Sequence, residues 1–357
     1  MVLLRRYRAA PILRVRWFQP SDPPLTRSMT SSNRPTASLS LDLDNLWSYL
    51  KIHGDPGWES FPSYLDVVVP RVLGFLAERG LRITFFVVGQ DAARPENREA
   101  LASLAAAGHE IGNHSFRHES WLHLYSEAEL EEELARAEEA IERATGRRPA
   151  GFRGPGFSLS AATLAVLARG GYAYDASTLP TFLGPLARAY YFRTAGLTAE
   201  QRRQRSALFG TFGEGLRPIR PYLWKVGERR LVEIPVTTMP LLRTPIHLSY
   251  VLYLDLVSPA LGRLYFNAAL RLCRLAGVQP SILLHPLDFL GCDDTDALSF
   301  FPAMRRPSAW KLARVSEHLA ALCRGFEVVP LGEHAERLAR GGRLAEREPV
   351  FALEPRG

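Results

Sequence analysis

Two pairs of side chains in this 357-residue chain have types and spacings that could do chemistry together: Asp42 with Asp44, and His114 with His118. The first pair closes Ala37-Ser-Leu-Ser-Leu-Asp-Leu-Asp44, which is apolar at odd positions and polar at even ones. That period of two belongs to a strand, and side chains two apart share a face, so the carboxylates project together. Like charges so placed repel unless a cation or hydrogen-bond donors hold them. His114-Ser-Phe-Arg-His118 lies just past the strand-like Glu110-Ile111. Two imidazoles four apart can converge on one metal from a helix or from a turn-like loop. Adding one carboxylate from the opening strand gives two histidines and one acid with coordination positions left open. Such a set suits a catalytic Zn2+, with Co2+, Ni2+ or Mn2+ as substitutes.

The elements that must position these residues alternate between strand-like and helix-like, which predicts βα units around a mostly parallel sheet. After the opening strand, Ser63 to Arg79 reads as a helix stopped by Gly80, and Leu81 to Val88 as a strand of β-branched and aromatic residues. Ser126 and Glu129 form a capping box for a helix running to Thr145, with Gly146 after its end. Gly151 to Arg153 and Tyr172 to Asp175 read as short strands around a helix capped by Ser160. Leu231 to Pro235, Ser281 to His285 and Phe326 to Val329 read as buried strands, with a helix from about Pro307 to Cys323. In such a sheet the strand ends that carry Asp42, Asp44 and the histidines are where active sites gather.

Taken in order, Asp42-Leu-Asp44, His114-Ser-Phe-Arg-His118, Arg153-Gly-Pro-Gly156, Asp175 and Leu283-Leu-His285 resemble the five motifs of the polysaccharide deacetylase family, carbohydrate esterase family 4. Ile83-Thr-Phe-Phe-Val-Val-Gly89 and Gly108-His-Glu-Ile-Gly-Asn-His114 are similar to it as well. The resemblance runs over residues 37–178 and resumes over 231–330. It implies a distorted (β/α) barrel of seven strands. It also implies a role for each motif residue: Asp42 as the base that deprotonates water, and Asp44, His114 and His118 as ligands of a divalent metal, Zn2+ first. Arg153 would pair with Asp42 and keep it ionised. His285 would be the acid that protonates the leaving amine, Asp175 the carboxylate that holds this imidazole charged, and Gly156 a backbone donor to the oxyanion.

Two departures stand out. The family's usual first motif has adjacent acids ending in Gly, whereas here Leu43 separates them and Asn45 follows. This Asp-x-Asp form resembles a branch that includes peptidoglycan deacetylases and cofactor-independent allantoinases. The third motif reads Arg-Gly-Pro-Gly-Phe where the family has Arg-Pro-Pro-Tyr-Gly, so Phe157 replaces an aromatic at position 156. The implied function is removal of an acyl group, usually acetyl, from an N-acylated sugar or related amide. The rivals are an allantoinase-like hydrolase of linear amides on the same scaffold, and a catalytically silent carbohydrate-binding protein. A two-carboxylate glycosidase would leave His114, His118 and His285 without a task.

Composition excludes other classes. Apolar residues at 46 % and charged residues at 23 % describe an ordinary soluble chain. The net charge of +7 looks like a signal for nucleic acid until it is located: residues 1–40 hold seven arginines against Asp22 alone, which leaves the body with +1. Cys273, Cys292 and Cys323 make no disulfide framework and read as reduced thiols, which suits the cytoplasm and, with it, a small or lipid-linked substrate. The greasiest stretch, Leu248 to Val278, is broken by Asp255, Arg263, Arg271 and Arg274, so no membrane span is expected.

Residues 1–36 read as a basic tail or a start displaced from Met29, 37–335 as the barrel, and 336–357 as a C-terminal tail. Residues 179–228 break the rhythm and read as an inserted lid bearing Tyr190, Tyr191, Phe192, Phe209, Phe212, Tyr222 and Trp224. Among the remaining candidates, His109 reads as a strand or loop residue, His123 as a support behind the metal motif, and His53, His318 and His334 as surface or helix positions. Trp47, Trp58 and Trp121 read as packing around the first two motifs, and Asp288 either touches the site or ends a turn.

Overall fold

The computed structural model describes residues 34–186, 189, 212–342 and 344–351. The basic tail up to residue 33, with Met29, lies outside the described residues, as do Tyr190, Tyr191, Phe192 and Phe209 of the expected lid. In chain order the strands are β1 (Thr36–Asp42), β2 (Thr84–Val87), β3 (Glu110–Asn113), β4 (Gly151–Phe152), β5 (Tyr174–Asp175), β6 (Tyr222–Val226), β7 (Arg229–Glu233), β8 (Ser281–Leu284), β9 (Glu327–Val329) and β10 (Glu346–Arg347). Seven run parallel side by side in the order β7-β5-β4-β3-β2-β1-β8, the distorted seven-stranded α/β barrel that the motif order implied. No strand ladder joins β8 to β7. Thr237 spans the gap instead: its N–H donates to the Ser281 carbonyl at 3.0 Å and its hydroxyl accepts the Ser281 N–H at 2.7 Å.

The alternation of β1 has a different meaning from a strand with one wet face, because both of its faces are buried. Leu39 and Leu41 join Val68 and Val72 of helix Leu65–Ala77, and Leu319 and Leu322 of helix Ser308–Gly325, in the main apolar cluster. Each leucine buried in this way contributes about 1.5–3 kcal/mol. The polar positions face inward and are all paired: Ser38 with His334 at 3.0 Å, Ser40 with Arg153 at 2.8 Å, and Asp42 with Arg153 at 2.7 Å. A second interior cluster combines Phe86, Tyr174 and Val232 with Leu331 and Ala335 of helix Leu331–Gly341. Room for its rings comes from two strand glycines: a Cβ on Gly112 would meet Phe86 at 2.5 Å, and one on Gly151 would meet Tyr174 at 1.9 Å.

The capping box at Ser126 forms as expected, helix Glu127–Thr145 follows it, and Gly146 caps the end in the left-handed conformation. Elsewhere the structure corrects the sequence reading. Tyr222 and Trp224 are not lid residues; they lie in β6, which folds back antiparallel on β7, and both are buried. Phe212 is exposed. Residues 336–341, read as the start of a tail, continue helix Leu331–Gly341, and Glu346–Arg347 form β10, which adds to β6. Helix Leu248–Val257 escaped the reading because it is apolar on almost every side, so no 3.6-residue stripe marks it; helix Pro259–Leu275 follows it directly. No helix among the described residues is long and apolar enough to cross a membrane.

Candidate active site

Strand β1 ends at Asp42, and one further bond, Leu43 N–H to the Phe86 carbonyl at 2.9 Å, carries the chain onward before it turns. Asn45 makes the turn. Its side-chain oxygen caps helix Leu46–His53 through the Leu46 N–H at 2.8 Å, and its amide donates to the buried Asp91 at 2.7 Å. The Tyr64 hydroxyl donates to the Asp44 carbonyl. Asp44 is thus held by a helix cap and a tyrosine where a strand alone would have left it loose.

The two histidines come from a loop that follows β3. His114 continues the sheet through its N–H to the Val87 carbonyl at 3.0 Å. Ser115 and His118 then take positive φ values of 61° and 54°, so the segment is a tight turn and not a helix. The buried carboxylate of Glu133 pins this turn from helix Glu127–Thr145 by accepting the N–H groups of Phe116 at 3.0 Å and Arg117 at 2.5 Å.

All three expected ligands converge. The Nε2 atoms of His114 and His118 lie 3.3 Å and 2.9 Å from the same oxygen, Oδ1 of Asp44. The three donor atoms fall within 4.8 Å of one another and are buried; this is the group among the described residues that could hold a metal. Burial alone would raise the Asp44 pKa, but the charge and hydrogen bonds of His118 and His114 outweigh it and hold the carboxyl well below its ordinary value. Burial likewise works against a charged His114, and the two aspartates outweigh it to push that imidazole up. The Nδ1 of His114 lies 2.6 Å from the Arg153 carbonyl, which can fix the tautomer that leaves Nε2 free to ligate. Two imidazoles and one carboxylate with further positions open are the donor chemistry of a catalytic zinc site, so these residues fit a divalent ion.

Asp42 lies next to this group, its Oδ2 4.0 Å from His114 Nε2. Its other oxygen takes the Nη1 of Arg153 at 2.7 Å. That arginine is wholly buried; its Nε donates to the Ala176 carbonyl at 2.9 Å and its guanidinium stacks 4.4 Å from the Phe86 ring centre. Gly156 stands in a short turn, Pro155–Phe157, with φ 58°. The turn's own bonds run from Phe157 to Gly154 and from Ser158 to Pro155, so the turn makes no use of the Gly156 N–H. His123 buttresses the turn through Ser158 Oγ, 2.8 Å from its Nδ1.

His285 directly follows β8, but the expected partnership with Asp175 does not form. Asp175 accepts the Ser177 hydroxyl at 2.6 Å and shares a hydrogen bond with Glu233, its register partner on β7. Two buried acids this close cannot both ionise cheaply. Desolvation raises both pKa values, and that of Glu233 is driven well above its ordinary value. His285 is partnered instead by Ser249, whose Oγ lies 3.1 Å from Nδ1 and donates to Asp288 at 2.8 Å. Asp288 therefore touches the site and ends the turn: its other oxygen accepts the His285 N–H at 2.8 Å.

His247 was missed altogether. It is buried, its ring centre is 5.8 Å from that of His285, and its Nδ1 has no hydrogen-bond partner. Desolvation, helped by the nearby His285 and Arg153, pushes its pKa well down, so it is a neutral imidazole beside the acid candidate. No spacing pattern links it to a motif, and only the fold brings it in. Two other histidines, His318 and His334, take helix positions, one of the two alternatives read for them. Both are buried, the first paired with Asp255 at 2.7 Å and the second inside the barrel. Trp47 is core, with its indole N–H on Asp91 at 2.9 Å.

Comparison with known proteins bears on the fold and on part of the motif series. Residues 55–174 match the family model for polysaccharide deacetylase, a span that holds His114, His118, Arg153 and Gly156 but neither Asp42, Asp44 nor His285. The chain is 28 % identical to the peptidoglycan deacetylase of Helicobacter pylori over 160 residues, 43 % of this chain and 51 % of that one. It is 33 % identical to the chitin deacetylase of Colletotrichum lindemuthianum over 95 residues, 26 % of this chain and 38 % of that one. It thus spans about half the length, or less, of these curated relatives. A solved structure from Mycobacterium smegmatis described as a polysaccharide deacetylase shares the fold, with a TM-score of 0.56 at 22 % identity, covering 89 % of this chain and 99 % of that one. Residues 55–174 are thus similar in sequence to the polysaccharide deacetylase family, and the chain shares its fold with a solved structure so described.

Proposed function

We propose that the protein is a metal-dependent hydrolase that removes an acetyl group from an N-acetylated sugar. The observation that carries this reading is the convergence of Asp44, His114 and His118 within 4.8 Å beside the buried Asp42–Arg153 pair. An ion bound there, Zn2+ first among the candidates, would supply Lewis-acid polarisation of the acyl oxygen and acidify a water molecule.

The remaining work falls to the chain. Asp42 accepts the proton of the attacking water through Oδ2, the oxygen that Arg153 leaves free. Arg153 supplies the counter-charge and, being fully buried and bonded at Ser40 and Ala176, fixes the carboxylate's direction. The Gly156 N–H, left unused by its turn, donates to the oxygen that becomes negative in the tetrahedral intermediate. His285, just past the end of β8, delivers a proton to the leaving nitrogen, without which an amine is a poor leaving group.

Purified, zinc-loaded protein should release acetate from N-acetylglucosamine oligomers and leave ureido amides such as allantoin intact. Ring opening of allantoin to allantoate, or release of ammonia from linear amides, with the sugars untouched, would favour the other amide hydrolase. Binding of the oligomers without any acetate release would make this a silent carbohydrate-binding member of the family.

A further inference from the structure

We infer that Ser249 is the positioning residue for the proton donor, a hydroxyl bridge that fixes which nitrogen of His285 carries the transferable proton. The inference rests on the reading of His285 as general acid and goes beyond it, because no motif contains Ser249. The bridge is built from both sides. Asp288 uses one carboxylate oxygen to accept the His285 backbone N–H at 2.8 Å and the other to accept the Ser249 hydroxyl at 2.8 Å. The turn that carries Asp288 is braced from below by the buried Lys311, whose Nζ donates to the Leu287 carbonyl at 2.8 Å.

A serine hydroxyl has one hydrogen, and here it is committed to Asp288. Toward His285 Nδ1, 3.1 Å away, Ser249 can therefore only accept, so Nδ1 must hold a proton. The exchangeable proton is then on Nε2. When the C–N bond of the tetrahedral intermediate breaks, its electron pair moves to the nitrogen, which takes the Nε2 proton. The imidazole is left neutral with Nδ1–H still on Ser249, and Nε2 regains a proton from solvent. Asp175 cannot do this, since it is engaged with Ser177 and Glu233.

The test uses the full metal-loaded chain and its Ser249→Ala and Ser249→Thr variants on two substrates. One is an N-acetylglucosamine oligomer; the other is 4-nitrophenyl acetate, whose phenolate leaves without needing a proton. Ser249→Ala should lower kcat on the oligomer by roughly 10–100-fold, with KM and metal content unchanged. The ester rate should stay within about twofold, and Ser249→Thr should recover most of the loss. Equal loss on both substrates, or loss on neither, would overturn the inference. Long-range 1H–15N spectra of the His285 ring give a readout independent of activity: protonation at Nδ1 in the wild type, lost in Ser249→Ala, supports the bridge, and protonation at Nε2 alone in the wild type overturns it. Should the wild type hydrolyse neither substrate, the reading of the site as a hydrolase fails, while the ring spectra still decide the bridge.

Discussion

Asp42→Asn is expected to abolish turnover while leaving the ion bound. The substitution keeps the size and one hydrogen-bonding oxygen of the side chain but removes its basicity, and a positioned general base contributes roughly 10²–10⁴-fold. Asp42 is not one of the three converging donors; its Oδ2 lies 4.0 Å from His114 Nε2. Metal content by elemental analysis should therefore stay at one equivalent. A second consequence follows from the burial of Arg153. With Asp42 neutral, that guanidinium has lost its 2.7 Å counter-charge, and stripping one partner from a buried pair costs about 3–5 kcal/mol. The variant should melt earlier, so its rate must be read well below its own midpoint. Loss of ion and turnover together would show that Asp42 is a ligand and that the base lies elsewhere.

His118→Ala should have the opposite signature, with the ion lost first and activity lost because of it. The imidazole's Nε2 lies 2.9 Å from Asp44 Oδ1, and without it the group keeps only His114 and Asp44 as donors. Removing a group that merely supports a ligand costs about 10–100-fold in metal affinity, and removing the ligand itself should cost more. The fold should survive, because the turn is held by Glu133 and Ser115 through backbone N–H groups that the substitution leaves in place. Zinc titration followed by calorimetry measures the effect, with thermal melting of the metal-free protein as the control. Retention of stoichiometric zinc at unchanged affinity would remove His118 from the site.

What could be read from the sequence follows from how local each signal is. The face shared by Asp42 and Asp44, the capping box at Ser126 and the His-x-x-x-His spacing are short-range patterns, and the structure contains all three. Residue types alone left open whether His114 and His118 met from a helix or a turn. The answer depends on Glu133, fifteen residues beyond His118, accepting two N–H groups of the loop. Ser249 and His247 were hidden for a similar reason. They reach His285 only because helix Leu248–Val257 packs over the end of β8, and no periodicity along that apolar helix announces the fact. Asp175 was misassigned because its partner Glu233 is adjacent only through strand pairing 58 residues later. Tyr222 and Trp224 looked like lid aromatics until the antiparallel turn onto β7 buried them.

The most direct measurement is anomalous diffraction at the zinc absorption edge from crystals grown with Zn2+. The account predicts one strong peak in bonding contact with Asp44 Oδ1, His114 Nε2 and His118 Nε2, and no zinc ligation by Asp42. A map with zinc bound elsewhere, or with those three side chains turned apart around ordinary solvent, would contradict it.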